Sequence, residues 1–246
     1  MKTLICTTFF DVNGGIERYV KPLSDLITSY LEYTDFDILI LTNVPEKLNH
    51  IDSKRIFIID YYSNFSEPHI SANKFNMHLK RTAIRLGSQK DYEIIYHHDC
   101  DCYITGWDQY SYLEFIKKDY DIIFPNSSHP QLGGLRANYK HFQDKIDKEF
   151  VDLYYPELDL APNASETRII FKNNSKLKVF LDFWDQISEK NKDFFTYFDS
   201  VYFGTSAIHS KMKITHVNDQ VKFSTFGRIN HKPRILDYYG NTVQES

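Results

Sequence analysis

The chain has 246 residues, enough to bury one sizeable core. Hydrophobic residues at 42% and charged residues at 25% are ordinary for a globular α/β protein and exclude a disordered one. A net charge of −4 excludes a whole-surface electrostatic grip on nucleic acid and leaves only a local basic stripe as a means of holding it. No stretch approaches the roughly 20 apolar residues of a membrane span. The N-terminal run Thr3-Leu4-Ile5-Cys6 is too short for the apolar core of a signal peptide. Three cysteines fit a reducing compartment better than a disulfide framework, so Cys6, Cys100 and Cys102 are expected to pack as small hydrophobes in a cytoplasmic protein.

Strand-like and helix-like segments alternate through the first half, which predicts an α/β sheet. Thr3 to Phe10 reads as a strand. Ile16, Tyr19, Val20, Leu23, Leu26, Ile27 and Tyr30 recur at helical spacing. Phe36 to Leu41 is nearly continuous apolar sequence, as a buried parallel strand should be, and Arg55 to Ile59 is a further strand. A second helix starts after Ser71, carries Phe75, Leu79, Ala83 and Leu86 on its apolar face and is closed by Gly87. Its polar stripe holds Lys74, His78, Arg81 and Arg85. The strand Tyr92 to Tyr96 then runs into His97-His98-Asp99-Cys100-Asp101.

Beyond it, Asp108 to Tyr120 reads as helix and Asp121 to Phe124 as a short strand ended by Pro125. Residues 127–162 are mixed, with Gly133-Gly134, Pro130, Pro156 and Pro162 marking an excursion over the active face. Arg168 to Phe171 is a strand, and Leu177, Phe180, Leu181, Trp184 and Ile187 form the clearest helical stripe in the chain. The last 20 or so residues read as a tail folded back onto the sheet.

Asp99 and Asp101, with one residue between them beyond a buried strand, are where chemistry is expected. Ligands of open α/β sheets bind outside the carboxyl ends of the strands. Two carboxylates there accept a nucleotide diphosphate only with a divalent cation between them, Mn²⁺ or Mg²⁺ with oxygen ligands, which also stabilises a departing diphosphate. His97, His98 and Asp99 do not make a zinc cluster, because adjacent strand residues point to opposite faces. The same acids suit nucleotidyl or phosphoryl transfer, although no Walker A or kinase motif is present. A non-catalytic nucleotide-sugar-binding module is a third possibility.

With its Asp-x-Asp after an apolar strand, the chain resembles the GT-A glycosyltransferases. The resemblance extends to Phe171-Lys172-Asn173-Asn174 and the helix after it, to Tyr202-Phe203-Gly204-Thr205 as an aromatic–Gly turn near the donor sugar, to Asn218-Asp219-Gln220, and to His231-Lys232-Pro233. The last two are similar to segments of retaining families, the ABO-type galactosyltransferases and the glycogenin type. It implies a single GT-A-like domain over 1–246, mostly parallel in its central sheet, with a nucleotide-binding half (1–105) and an acceptor-binding half with the C-terminal tail (106–246). It further implies a hexosyl- or pentosyltransferase that moves a sugar from a nucleotide-sugar donor, a UDP-sugar, to a hydroxyl acceptor with retention. Asp99, Asp101 and His231 would hold the metal. Thr8, Asp11, Asn43, Lys74, Arg81, Asp99 and Gly204 would bind the donor, and Asp219, Gln220 and Lys232 would carry catalysis.

The departures matter. The Gly204 segment lacks the longer Gly-rich run of the ABO-type enzymes, and Asp219-Gln220 replaces their acidic pair, so Asp219 could serve retention or inversion; it could equally cap a helix before Val221 and Phe223. The acceptor is either a surface glycan or a hydroxymethylated base in phage DNA. Lys140, Lys145 and Lys148 would suit DNA, but Asp144 and Asp147 sit among them, and the net charge tilts the reading toward the glycan.

Overall fold

The structure, a computed structural model, describes residues 1–11, 16–65, 72–125, 168–190, 199–217, 224–228, 235–236 and 242–243. Its strands are Thr3–Phe9 (β1), Asp37–Thr42 (β2), Ile56–Asp60 (β3), Ile94–His98 (β4), Cys102–Trp107 (β5), Ile122–Pro125 (β6), Arg168–Lys172 (β7) and Ile214–Val217 (β8), and all but β5 join one seven-stranded sheet in the order β3-β2-β1-β4-β7-β6-β8. Neighbours are parallel except where β7 runs antiparallel to both β4 and β6. The sheet is therefore mostly parallel, as its continuous apolar strands predict.

Alternation along those strands divides the core in two. Ile5, Ile38, Ile40, Tyr96 and Ile170 face Leu23, Leu26, Ile27 and Tyr30 of helix Glu17–Tyr33 (α1). Past the short helix Tyr61–Asn64 (α2), the opposite side is covered by three helices: Ala72–Ser88 (α3) and, beyond Gln109–Ile116 (α4), Ser175–Lys190 (α5) and Asp199–His209 (α6). There Leu4, Cys6, Leu39, Leu41, Ile95, Ile169 and Phe171 meet Leu79, Ala83, Phe180, Trp184, Phe203 and Ala207. Asn174 starts α5 by capping it: its side-chain oxygen accepts from the backbone N–H groups of Lys176 (3.0 Å) and Leu177 (3.3 Å).

One consequence of the strand directions bears on the site. β7 starts at Arg168, paired with His98 at the end of β4, and β8 ends at Val217, paired with Pro125 at the end of β6. The carboxyl ends of the parallel strands and the start of β7 thus share one edge of the sheet. The chain leaves that edge after Pro125 and comes back to it at Arg168. Val217 brings the chain there again, two residues before Asp219.

Three sequence expectations change. Gly87 does not close α3, which continues through Ser88; it is the point where the helix presses on β1. A Cβ at that position would stand 2.5 Å from Cys6 Sγ and 3.3 Å from Leu4 Cδ2. The 202–205 segment is no turn but the middle of α6. Phe203 and Ala207, four apart, are both fully buried, and that helical spacing outweighs the modest cost of one glycine in a helix. The described residues of the tail pair outside the main sheet. Ser224–Arg228 (β9) pairs antiparallel with β5, and Ile235–Leu236 (β10) pairs with Thr242–Val243 (β11). Among the described residues no helix is long and apolar enough to cross a membrane.

Gly87→Ala should destabilise the protein by about 1–3 kcal/mol in urea unfolding, despite alanine's higher helix propensity, because the fully buried Cys6 leaves the new methyl no room. In a Cys6→Ala background most of that penalty should vanish.

Candidate active site

The edge where the parallel strands end carries Asp99 and Asp101, in the turn that joins β4 to β5. The Cys102 N–H donates to the Asp99 carbonyl (3.3 Å), closing the turn. His98 reinforces it: its Nδ1 lies 3.0 Å from the same carbonyl, so the ring must be the donor. Burial lowers the His98 pKa to about 3 and keeps that ring neutral. Farther along β5, the Ile104 N–H donates to Ser29 Oγ of α1 (3.1 Å), fixing the strand that leaves the turn. The two histidines lie on opposite faces of the sheet, as strand alternation requires. His98 stands edge-on to Tyr30 of α1 (5.4 Å), and His97 stacks on Phe203 of α6.

Asp99 faces the α3 side. Its Oδ1 is 3.1 Å from Lys80 Nζ and 3.5 Å from His97 Nε2, with side-chain exposures of 22% for Asp99 and 12% for Lys80. Burial alone would raise the carboxyl pKa. The Lys80 ammonium and the His97 ring oppose it more strongly and hold it well below the usual carboxylate range. Cys102 Sγ approaches Asp101 Oδ1 at 3.4 Å. Burial, reinforced by the charges of Asp99 and Asp101, pushes the Cys100 thiol well above its ordinary value, so it stays protonated. Hard carboxylate oxygens are the donors that Mg²⁺ and Mn²⁺ prefer. Among the described residues no group of three or more His, Cys, Asp or Glu side chains is arranged to hold an ion. Asp99 and Asp101 are such donors, and a cation on one or two carboxylates would need other oxygens to complete its shell.

Among the described side chains of α3, Lys80 meets Asp99, a residue that sequence reasoning, which named Lys74 and Arg81, missed. Arg81 Nε is instead 2.6 Å from Asp185 on α5, and Arg85 pairs with Asp182 and Asp185, so this part of the polar stripe ties two helices together. Lys74 is six residues earlier on α3. Thr8 lies near the end of β1, two residues past Cys6, which pairs with His97. Asp11 and Asn43 are brought together: the Asp11 N–H donates to Asn43 Oδ1 and Asn43 Nδ2 donates to the Asp11 carbonyl, both at 2.8 Å. Asn43 thereby holds the chain as it leaves β1. Gly204 sits inside α6 between buried Phe203 and Thr205 and offers no donor-sugar turn. Asp219, Gln220, His231 and Lys232 lie outside the described residues. Arg228, three residues before His231, pairs with Cys102 next to Asp101.

No protein-family model matches the chain, and no curated protein matches it in sequence. Among solved structures it is similar to the galactosyltransferase LgtC in complex with donor and acceptor sugar analogs, at a TM-score of 0.50 and 10% identity, over 89% of this chain and 74% of that one. The fold is GT-A-like. In the GT-A-like frame, the described positions Thr8, Asp11, Asn43, Asp99 and Asp101 all belong to one edge of the sheet, whereas Gly204 belongs to a helix packed on its face.

Lys80→Met should lower stability by about 2 kcal/mol at neutral pH, since it strands a half-buried charge. The loss should shrink when Asp99→Asn is added, giving a coupling energy in a double-mutant cycle. Because folding lowers the Asp99 pKa, the pair's contribution is complete above about pH 4 to 5 and fades as acid protonates the folded carboxylate. Urea midpoints measured from pH 7 down to 3 would check this.

Proposed function

We propose that this protein is a metal-dependent glycosyltransferase that transfers a hexosyl or pentosyl group from a UDP-sugar to a hydroxyl acceptor with retention. The observation that carries the reading is the Asp99–Asp101 turn at the carboxyl edge of a GT-A-like sheet, with Lys80 against Asp99. The galactosyltransferase it resembles in fold binds donor and acceptor sugar analogs.

The roles follow from placement. Asp99 and Asp101 would hold the cation, Mn²⁺ or Mg²⁺, which would supply positive charge at the departing diphosphate. Lys80 keeps Asp99 ionised and adds positive charge beside it. Asn43 holds the backbone at Asp11, where the nucleoside would meet the ends of β1 and β2 together with Thr8. His231 and Lys232 follow β9, whose Arg228 pairs beside the turn, and this supports His231 as a third metal ligand and Lys232 as a cation at the leaving diphosphate. Asp219 and Gln220 follow β8 from the same edge, in keeping with a role at the donor sugar, where a carboxylate stabilises positive charge developing at the anomeric carbon. The net charge of −4 favours a glycan acceptor over DNA.

The reading is tested by UDP binding and slow UDP-sugar hydrolysis, each with Mn²⁺ and with excess chelator. Asp101→Asn should abolish the metal-dependent part of both while leaving the melting temperature near that of wild type. Full hydrolysis in chelator, or in that variant, would remove the metal site from the mechanism. Asp219→Asn should keep nucleotide binding and lose most sugar transfer, by about a hundredfold if the carboxylate stabilises the transition state as oxyanion-hole donors do in reverse sign. Unchanged turnover in a normally melting Asp219→Asn protein would return Asp219 to a capping role.

A further inference from the structure

His97 is left over from the roles assigned so far, and its surroundings do not explain it as packing. The side chain is fully buried, with its ring 6.3 Å from Phe203 and 26° from parallel. Phe203 is itself packed against Phe180 and Trp184. A phenylalanine or leucine would fill such a place without burying polar atoms, whereas an imidazole brings two ring nitrogens that need partners. Neither nitrogen makes a hydrogen bond of ordinary geometry among the described residues. The acceptor the structure sets before Nε2 is Asp99 Oδ1, at 3.5 Å, the oxygen that Lys80 also approaches at 3.1 Å.

Resting on the reading of Asp99 as a ligand-holding carboxylate, we propose that His97 is its positioning residue. With Nε2 carrying the hydrogen, His97 and Lys80 hold Oδ1 from two sides and leave Oδ2 to meet a cation. The His98 ring meanwhile holds the backbone carbonyl of the same residue. A carboxylate fixed in this way loses less rotational freedom when it takes up a ligand, and partners one layer behind a metal ligand commonly set affinity on that ground. The ring stacked on Phe203 anchors the arrangement to α6, so the core of the sheet's helical face sets the orientation of Asp99.

The test uses the full-length chain and reads Mn²⁺ binding directly, by electron paramagnetic resonance titration with UDP present, in wild type, Asp99→Asn, His97→Gln, His97→Asn and His97→Phe. A glutamine amide N–H reaches the position of Nε2, whereas the asparagine amide stops near Nδ1. Both remove the aromatic ring, so both should lower the melting temperature alike. Mn²⁺ affinity should then separate them: His97→Asn and His97→Phe should bind about tenfold or more weakly, and His97→Gln should retain most of the wild-type affinity. The phenylalanine variant keeps the stacking on Phe203, so it reports on the lost N–H even where the amide variants fold poorly. Glutamine and asparagine variants of equal affinity, or wild-type affinity in His97→Phe, would overturn the role of His97 while the Asp99→Asn loss upheld the site. A wild-type chain that binds no Mn²⁺ would overturn the site and the role together.

Discussion

Where α3 crosses β1 there is no room for a methyl group. Gly87 lies so close to Cys6 and Leu4 that the helix axis is set by backbone against side chain, without the cushion that a larger residue would provide. Lys80 sits two turns earlier on the same helix and reaches Asp99 just past the end of β4. Its ammonium, with the His97 ring, offsets the burial of Asp99 and holds that carboxyl below the usual carboxylate range. The tight glycine contact and the ion pair thus lie on one helix, about ten ångströms apart along its axis.

The same reasoning separates the two neighbouring histidines. Strand geometry sends His97 to the α3, α5 and α6 side and His98 to the α1 side, so they cannot converge on one ion. They nevertheless converge on one residue: one ring meets the Asp99 side chain and the other its carbonyl. The turn is held from both layers of the molecule, with Ser29 of α1 pinning the strand that leaves it. A site supported from both faces of a sheet moves only when both layers move.

Much of the fold was legible in the sequence because buried parallel strands declare themselves as apolar runs, as in Phe36 to Leu41 and Arg168 to Phe171, and because the stripe from Leu177 to Ile187 keeps helical spacing without interruption. The position of Asp99 and Asp101 just past a strand end was legible for the same reason, being set by the strand before them. Lys80 was not. Arg81, in the same polar stripe as Arg85, looked suited to a ligand; the partners of both, Asp182 and Asp185, are about a hundred residues away and cannot be assigned from local pattern. Gly204 misled in the other direction. A glycine after two aromatic residues reads as a turn, and only the burial of Phe203 and Ala207 against α5 shows that helix wins there. The reciprocal bonds of Asn43 and Asp11 depend on β1 and β2 lying side by side, which gives that pair no local signature.

The reversed direction of β7 also bears on the connection between β6 and β7. Pro125 and Arg168 end and begin neighbouring strands of one antiparallel pair, so the segment between them is tied down at two points only a strand spacing apart. The entropic cost of closing a connection between two such points rises only slowly with its length. Its two anchors lie at the edge that carries Asp99. The connection between β6 and β7 therefore starts and ends beside the turn that carries Asp99 and Asp101, so a change in its length is felt first at that edge of the sheet.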